Sequence, residues 1–316
     1  HGLLPESASH EGYLAHPVHS YWDDFWGIRG LEAAADLVEP WGDAESARRW
    51  REEARRFQAD VIRSMETVIA SKKLGTLPGS VEWADFDPTA TSNAIAQLDF
   101  ADSLPARELE NSLATYLDGH HRKHDGRMVW NNYTAYEIRI IGAFVRLGKR
   151  GDANDLLAFF LGDQRPTGWN QWPEITWRDL RSPGHLGDVP HTWIAAEYLL
   201  AFASMFASER EARDRLVLAA GVPWEWVAAE NGIAVRGLPT RFGTLDLRMA
   251  ATGNETMEIE IGGGITIPGD GLFIEPPVPE NHIIASAGEG LEAAGDRSFR
   301  IRDLPCRAEL RFAAVT

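Results

Sequence analysis

The chain has 316 residues, with 44% hydrophobic and 25% charged side chains, which is the composition of an ordinary globular protein. Its net charge of −16 repels phosphate backbones and anionic lipids, which argues against nucleic acid and membrane surfaces as partners. The single cysteine, Cys306, excludes an intramolecular disulfide and a cysteine-based metal cluster, and we expect neither metal nor cofactor. The compartment is left open, with secretion or the periplasm favoured over the cytoplasm.

Seven helical segments are predicted between about residues 21 and 207. The clearest are an apolar segment over Tyr21–Val38 and an amphipathic one over Ala44–Lys72. The other five are predicted over about Thr89–Ala101, Ala106–His121, Tyr133–Leu147, Ala153–Leu161 and His191–Ala207. A helix that is apolar all round must be buried on every side, whereas an amphipathic helix covers it from outside. The alternation of the two kinds predicts two concentric rings of helices, an α/α barrel.

The C-terminal part alternates apolar and polar residues with period two, as in "TMEIEIG" and "AELRFAA". This pattern predicts an antiparallel β-sandwich. The glycine-rich "GGGITIPGDG" lacks the lysine and the strand-to-helix setting of a phosphate loop, so it is interpreted as a turn. The chain is therefore expected to be mainly α, with a helical barrel domain over residues 1–215 and a β-sandwich domain over residues 216–316.

The links that enter alternate helices are long and contain most of the tryptophans, whereas the links between them, such as "EPWGD" and "DSLP", are short. Long loops on a rigid scaffold are where function usually resides. Eight of the twelve tryptophans lie in these links or in the helix starts that follow: Trp22, Trp26, Trp83, Trp130, Trp169, Trp172, Trp177 and Trp193. Indoles pack against pyranose rings, and neighbouring acids and amides suit hydroxyl groups, so carbohydrate is the expected ligand.

Cleavage of a glycosidic bond needs two carboxyl groups, about 6.5–9.5 Å apart in an inverting enzyme. Asp23 and Asp24 lie at a helix entrance in "HSYWDDFWGIRG", but Ser20 and Asp23 also fit a capping box, so a purely structural role stays open. Glu174 lies in "WNQWPEITW", where the flanking indoles would exclude water, and this favours a functional role over that of a solvated loop acid.

Several other polar residues have both a structural and a functional interpretation. Asp87 could bind substrate or cap the third helix, Asn132 could bind sugar or cap the fifth, and His191 could bind sugar or cap the seventh. The loop "VEWADFDP" has the same two interpretations: its acids could have a structural role or could contact substrate. The histidines at the end of the fourth helix are interpreted as a solvated face rather than as metal ligands: His120, His121 and His124.

These features resemble the six-hairpin glycosidases, the superfamily of glucoamylases, trehalases and bacterial α-L-rhamnosidases. "YWDDFW" resembles the Trp-Glu-Glu at which a glucoamylase places its general acid, which implies that Asp23 is the acid. "WPEITW" followed by "DVPHTWIAAEYLLAF" resembles the Trp-Glu loop and Asn-His helix start of a rhamnosidase barrel, which implies that Glu174 is the base. "VRGLPTRFGTLDL" resembles the opening of the sandwich that follows such barrels.

The sequence therefore predicts an inverting glycoside hydrolase of oligo- or polysaccharides, in which Asp23 protonates the glycosidic oxygen and Glu174 activates water. The expected substrate-binding residues are Trp22, Trp26, Arg29, Glu82, Trp83, Asp85, Trp130, Asn131, Asn132, Trp172 and His191. Two other classes stay open: a non-catalytic glycan-binding or scaffold fragment, and a polysaccharide lyase with Tyr133 or His19 as its base. The acid-rich loops argue against the lyase.

The number of predicted helices bears on the partners of the chain. A full barrel of the superfamily has twelve helices, whereas seven are predicted here. We therefore expect a processed or partial barrel, and a companion chain or an oligomer that completes it and covers its apolar surface.

Overall fold

The computed structural model describes residues 2–10, 12–179, 189–210 and 214–315. The chain divides into two compact units, each made of two stretches of sequence. The first comprises His1–Glu137 and Ile175–Leu186, and the second comprises Ile138–Glu174 and Gly187–Thr316. The predicted domain boundary between residues 215 and 216 does not coincide with an edge of either unit, and it stays a prediction.

The described part of the first unit contains four α-helices, and the two clearest predictions among them are confirmed. These helices are α1 (Tyr21–Val38), α2 (Ala44–Lys72), α3 (Pro88–Ala96) and α4 (Ala106–His124). Helix α2 buries Val61, Met65 and Val68, which recur at helical spacing, and it packs along α1. Asp43 begins α2 by accepting a hydrogen bond from the backbone N–H of Ser46. Apolar spacing and one cap therefore define the most regular part of this unit.

The prediction of a helix from Tyr133 is wrong at its N-terminal end. Strand β1 (Asn132–Thr134) pairs antiparallel with β2 (Ile175–Trp177), and Tyr133 lies opposite Thr176. A 3-10 helix follows, and the α-helix α5 covers only Ile140–Arg146. Tyr133 and Thr176 are both buried, and aromatic and β-branched side chains suit a pleated, half-buried surface. The apolar periodicity gave no indication of this distant partner strand.

The helices of the second unit surround a small apolar core. They are α5, α6 (Arg150–Gly162), α7 (Thr192–Phe206) and the short α8 (Trp224–Val227). Helix α5 contacts both α6 and α7, and its Ile140, Ile141 and Phe144 are fully buried. Helix α7 leaves Leu199 and Leu200 exposed. The companion chain or oligomer expected to cover such surface stays a prediction.

Ten strands of the second unit form two five-stranded sheets. In chain order they are β3 (Ala207–Arg210), β4 (Arg215–Leu218), β5 (Ile233–Thr240), β6 (Gly243–Thr252), β7 (Thr256–Gly263), β8 (Gly271–Ile274), β9 (His282–Ala287), β10 (Leu291–Ala293), β11 (Phe299–Ile301) and β12 (Cys306–Ala314). One sheet has the order β5-β6-β7-β12-β9 and is antiparallel throughout. The other has the order β10-β11-β8-β4-β3, in which β4 and β8 run parallel. Within the described ranges, no helix combines the length and apolarity that a membrane span requires.

Arg150, the first residue of α6, joins this helix to the strand ends of the second unit. Its guanidinium group donates to the backbone carbonyl oxygens of Ala219, Ala220, Glu275 and Pro276, at 2.5–3.4 Å. Burial lowers the pKa of Arg150 to about 10, which still leaves the side chain charged at neutral pH.

We expect Arg150→Met to lower the free energy of unfolding by about 3 kcal/mol, because carbonyl groups that lose a donor inside a protein are costly. Urea denaturation of the wild type and the variant measures this loss. The control is Arg307→Met, which removes an exposed side chain 3.8 Å from Glu260 and should change stability by less than about 0.5 kcal/mol. Equal stability of the two variants would show that the Arg150 contacts contribute nothing.

Candidate functional site

The entrance of α1 holds Asp23 with two serines from the preceding segment. Ser9 Oγ donates to Asp23 Oδ1 at 2.8 Å, and Ser7 Oγ donates to Asp23 Oδ2. A backbone bridge between Ser7 and Val18 fixes this segment against the residues that lead into the helix. Ser20 makes no side-chain cap hydrogen bond, so the proposed capping box is wrong. Asp23 is half-buried, and its carboxyl group is oriented by tertiary contacts rather than by the helix end.

The neighbouring Asp24 points into the interior of the unit. It is only 1% exposed, and its Oδ1 accepts a hydrogen bond from the backbone N–H of Leu4 at 2.9 Å. Its Oδ2 has no hydrogen-bond partner among the described residues. Burial raises the pKa of Asp24 to about 7. Of the two adjacent acids, Asp24 therefore titrates near neutral pH and is buried, whereas Asp23 is the one a ligand could reach.

Five rings form a continuous series beside these acids, which we call the α1 aromatic row: Trp26, Trp22, His10, Tyr13 and Trp83. Neighbouring ring centroids in this series are 4.9–6.4 Å apart. Trp26 and Trp83, at its two ends, are exposed. The row thus brings together three predicted sugar-stacking tryptophans, joined by His10 and Tyr13, which were not among the expected substrate-binding residues.

The acids of the loop before α3 bind to this row. Asp85 accepts hydrogen bonds from Tyr13 Oη at 2.8 Å and from Ser80 Oγ at 2.6 Å, so protein hydroxyls occupy both of its oxygens. Asp87 caps α3 by accepting from the N–H groups of two first-turn residues, as its structural interpretation predicts. It also lies 3.3 Å from His10 Nε2, and the interaction with this carboxylate raises the pKa of His10.

Glu82 and Arg29, two further predicted substrate-binding residues, also contact protein groups. His19 Nδ1 lies 2.7 Å from Glu82 Oε1, and Arg29 lies 3.2 Å from Glu32 on its own helix. Glu6, His19 and Glu82 have potential ligand atoms within 4.8 Å of one another and are the group in the described part of the chain that could hold a metal ion. The engagement of His19 by Glu82 disfavours it as a free lyase base.

A second indole-lined site of the first unit lies where β1 meets β2. A cavity of about 440 Å³ is lined by Val129, Trp130, Asn131, Trp177, Arg178 and Asp179. The backbone N–H of Arg178 donates to the backbone carbonyl of Asn131 at 2.8 Å. The guanidinium carbon of Arg178 lies 5.9 Å from the centroid of the Trp130 ring. Trp130 and Asn131, two expected substrate-binding residues, both line this cavity. Trp177, Arg178 and Asp179 were not among the expected substrate-binding residues, because the pairing of β1 with β2 was not predicted.

Three interpretations of this region need correction. Asn132 begins β1 and caps no helix, so its structural alternative is wrong. Tyr133, the other suggested lyase base, is buried. His120 is buried rather than solvated, and burial lowers its pKa to about 3, so its imidazole stays neutral at physiological pH. Its ring lies 4.6 Å from that of His124.

In the second unit, Trp172 belongs to the core. It is 3% exposed, its Nε1 donates to the Phe160 carbonyl at 2.8 Å, and its ring contacts Tyr198. The prediction that Trp172 stacks on sugar is therefore corrected. His191 caps α7 by accepting at Nδ1 from the N–H of Ile194, as its structural interpretation predicts. Glu174 is half-buried and directly precedes β2, and its role as the base stays a prediction.

No protein-family model and no curated protein sequence matches this chain. Among solved structures, it is similar to an α-L-rhamnosidase from Dictyoglumus thermophilum, with a TM-score of 0.52 and 15% sequence identity. The match covers 91% of this chain but 31% of the rhamnosidase, so the chain spans about a third of that protein. A likeness at this identity shows the fold alone. The chain therefore has a glycosidase-like fold, mainly α, with α/α-barrel helices followed by a β-sandwich, as the sequence predicts.

Proposed function

We propose that this protein is a glycoside hydrolase that cleaves oligo- or polysaccharides with inversion at the anomeric carbon. The observation that carries the proposal is the α1 aromatic row, in which exposed indoles lie beside the half-buried Asp23. Flat aromatic surfaces next to an oriented carboxyl group suit a sugar ring and its glycosidic oxygen. The glycosidase-like fold is consistent with this chemistry but does not by itself identify it.

In the proposed mechanism, Asp23 protonates the leaving oxygen and Glu174 activates a water molecule on the opposite face of the sugar. The contacts of Asp23 suit a group that changes its protonation state. Ser7 and Ser9 donate to it in the ionised form, and because a hydroxyl can also accept, the same two serines can hold the protonated form. Asp24 lacks the exposure that proton transfer to a substrate requires.

The test is a panel of 4-nitrophenyl glycosides that includes α-L-rhamnoside, α- and β-D-glucoside, β-D-galactoside and β-D-xyloside. The rhamnoside is included because the similar structure is that of an α-L-rhamnosidase. We expect release of 4-nitrophenol from at least one glycoside, with an inverted anomeric configuration in the first product seen by proton NMR. Trp83→Ala should reduce kcat/KM by about tenfold, because it removes an exposed stacking surface. The control Trp41→Ala, an exposed indole outside the row, should not.

A non-catalytic glycan-binding module is the second candidate, and one observation favours it. Both oxygens of Asp23 already accept hydrogen bonds from serines, so the carboxyl group is engaged by protein hydroxyls rather than left free for a substrate oxygen. Sugar binding with no release of product from any glycoside or polysaccharide would support this candidate and contradict the hydrolase. An absorbance rise from an unsaturated product would instead indicate a lyase.

A further inference from the structure

We propose that Trp193 is a fixed sugar-stacking platform and that the buried pair of Arg139 and Glu197 positions it. This inference rests on carbohydrate being the ligand class, as in the proposed function, but it does not require hydrolysis. All three residues belong to the second unit. Trp193 is one of the eight tryptophans associated with the long links, but neither it nor the ion pair is among the expected substrate-binding residues.

Trp193 is the second residue of α7, and its indole is 47% exposed. Its Nε1 donates to Glu197 Oε1, one helical turn further on, at 3.0 Å. The polar edge of the ring is therefore attached to the protein while much of its apolar surface faces solvent. An exposed tryptophan ordinarily keeps its side-chain rotations, and this hydrogen bond restrains them.

The acceptor of that hydrogen bond is itself fixed by an ion pair inside the unit. Glu197 and Arg139 are each 3% exposed, and Arg139 Nη2 lies 2.7 Å from Glu197 Oε1. The guanidinium carbon is also 5.9 Å from the centroid of the Trp193 ring, within cation–π range. Burying two charges is costly, and a buried ion pair often adds little net stability, so fixing geometry is the role that we infer for this pair. Here the fixed group is an exposed indole.

A restrained indole is suited to binding because little side-chain freedom is lost when a ligand stacks on it. Immobilising a mobile side chain costs about 0.5–1.5 kcal/mol, which corresponds to about a twofold to tenfold change in affinity. The restraint by Glu197 and Arg139 removes this cost before binding. Because a pyranose ring presents a flat C–H face, a sugar residue fits the exposed side of Trp193.

The experiment measures binding of maltotetraose, cellotetraose and xylotetraose by titration calorimetry. We expect the wild type to bind at least one of them, and Trp193→Ala to weaken that binding by at least tenfold. The double variant Arg139→Met/Glu197→Leu replaces the ion pair with apolar side chains, which usually preserves stability. It should keep the melting temperature but weaken binding by about twofold to tenfold. Trp41→Ala, an exposed indole of the first unit, is the matched control and should bind like the wild type.

A spectroscopic readout separates positioning from a merely structural role. In proton–nitrogen spectra, the indole signal that disappears in Trp193→Phe belongs to Trp193, and its N–H should be protected from exchange in the wild type. The double variant should lose this protection while its fold is kept. Protection that persists there would contradict the role of the ion pair.

Three results would overturn the platform: no binding of any tetrasaccharide by the wild type, unchanged binding by Trp193→Ala, or a change in oligomeric state on that substitution, which would make Trp193 a packing residue. Binding that depends on Trp193 without any hydrolysis would contradict the hydrolase and leave the platform supported. Hydrolysis that Trp193→Ala leaves unchanged would support the hydrolase and contradict the platform.

Discussion

Replacing Asp24 by Asn should stabilise the protein above pH 7 and remove much of the pH dependence of its stability between about pH 4 and pH 8. Burial raises the pKa of Asp24 to about 7 in the folded protein, whereas an unfolded aspartate titrates near 3.9. The folded state therefore holds a proton that the unfolded state releases. The stability from this proton is fully present below the unfolded pKa and is lost as pH rises through about 7. At about 1.4 kcal/mol per pH unit, the loss amounts to at most about 4 kcal/mol.

Asparagine is a suitable replacement because it has the shape of the protonated carboxyl group and no charge. Its side-chain oxygen can still accept from the N–H of Leu4, so the contact with the N-terminal segment is kept. Urea denaturation at pH 5 and pH 8 measures the effect. Asp36→Asn serves as the control, because Asp36 is an exposed carboxyl group that pairs with Arg51. If Asp24→Asn and the wild type lose stability equally with rising pH, another group must carry the proton.

A neutral Asp24 also affects its neighbour. The negative charge of Asp23 contributes to the raised pKa of Asp24, after burial. Conversely, an uncharged Asp24 leaves Asp23 without a like charge beside it. The two adjacent aspartates thus have different environments: Asp24 is buried and has a raised pKa, and Asp23 is half-buried and held by serines. The sequence shows only two identical residues in succession, and so it could not distinguish these environments.

The regular helices could be predicted because their signals are local. In α2, apolar residues recur on one face, Asp43 precedes the first turn and Lys73 adopts a left-handed conformation after the last, so spacing and caps agree. The segment from Asn132 to Arg139 could not be predicted in this way. Its strand exists because Ile175–Trp177 pairs with it, more than 40 residues later in the chain. β3 and β4 are only four residues each, too short for their alternation to stand out from the adjoining helix.

The candidate site likewise contains residues that could be predicted from the sequence and residues that could not. The tryptophans at helix entrances were predicted as a group, and Trp22, Trp26 and Trp83 lie in one aromatic row. The sequence did not show which indole faces solvent. Trp172 and Trp177 occur in the same short motif, but only Trp172 is buried. The partners of each acid, such as Ser7 and Ser9, depend on contacts between distant segments. Composition predicts the chemistry of a site, but tertiary packing decides which residues are exposed.

On glycosides with an alkyl leaving group, Asp23→Asn and Glu174→Gln should each lower kcat by at least about 100-fold if these residues are the general acid and the general base. Both replacements keep the size of the side chain. In Asp23→Asn, the amide can still accept from one serine and donate to the other, so the local structure should persist. The control is Glu32→Gln, which removes an acid of α1 that pairs with Arg29, and it should retain wild-type turnover.

The leaving group distinguishes the two roles. A 4-nitrophenolate departs without being protonated, whereas an alkoxide requires a proton from the acid. Asp23→Asn should therefore lose much more activity on methyl glycosides than on 4-nitrophenyl glycosides, while Glu174→Gln should lose similar activity on both. The pH profile gives an independent check, because loss of the acid removes the alkaline limb and loss of the base removes the acidic limb. Equal losses of Asp23→Asn on both substrates would show that it does not deliver the proton, and the glycosidic oxygen would then have to be protonated by another group.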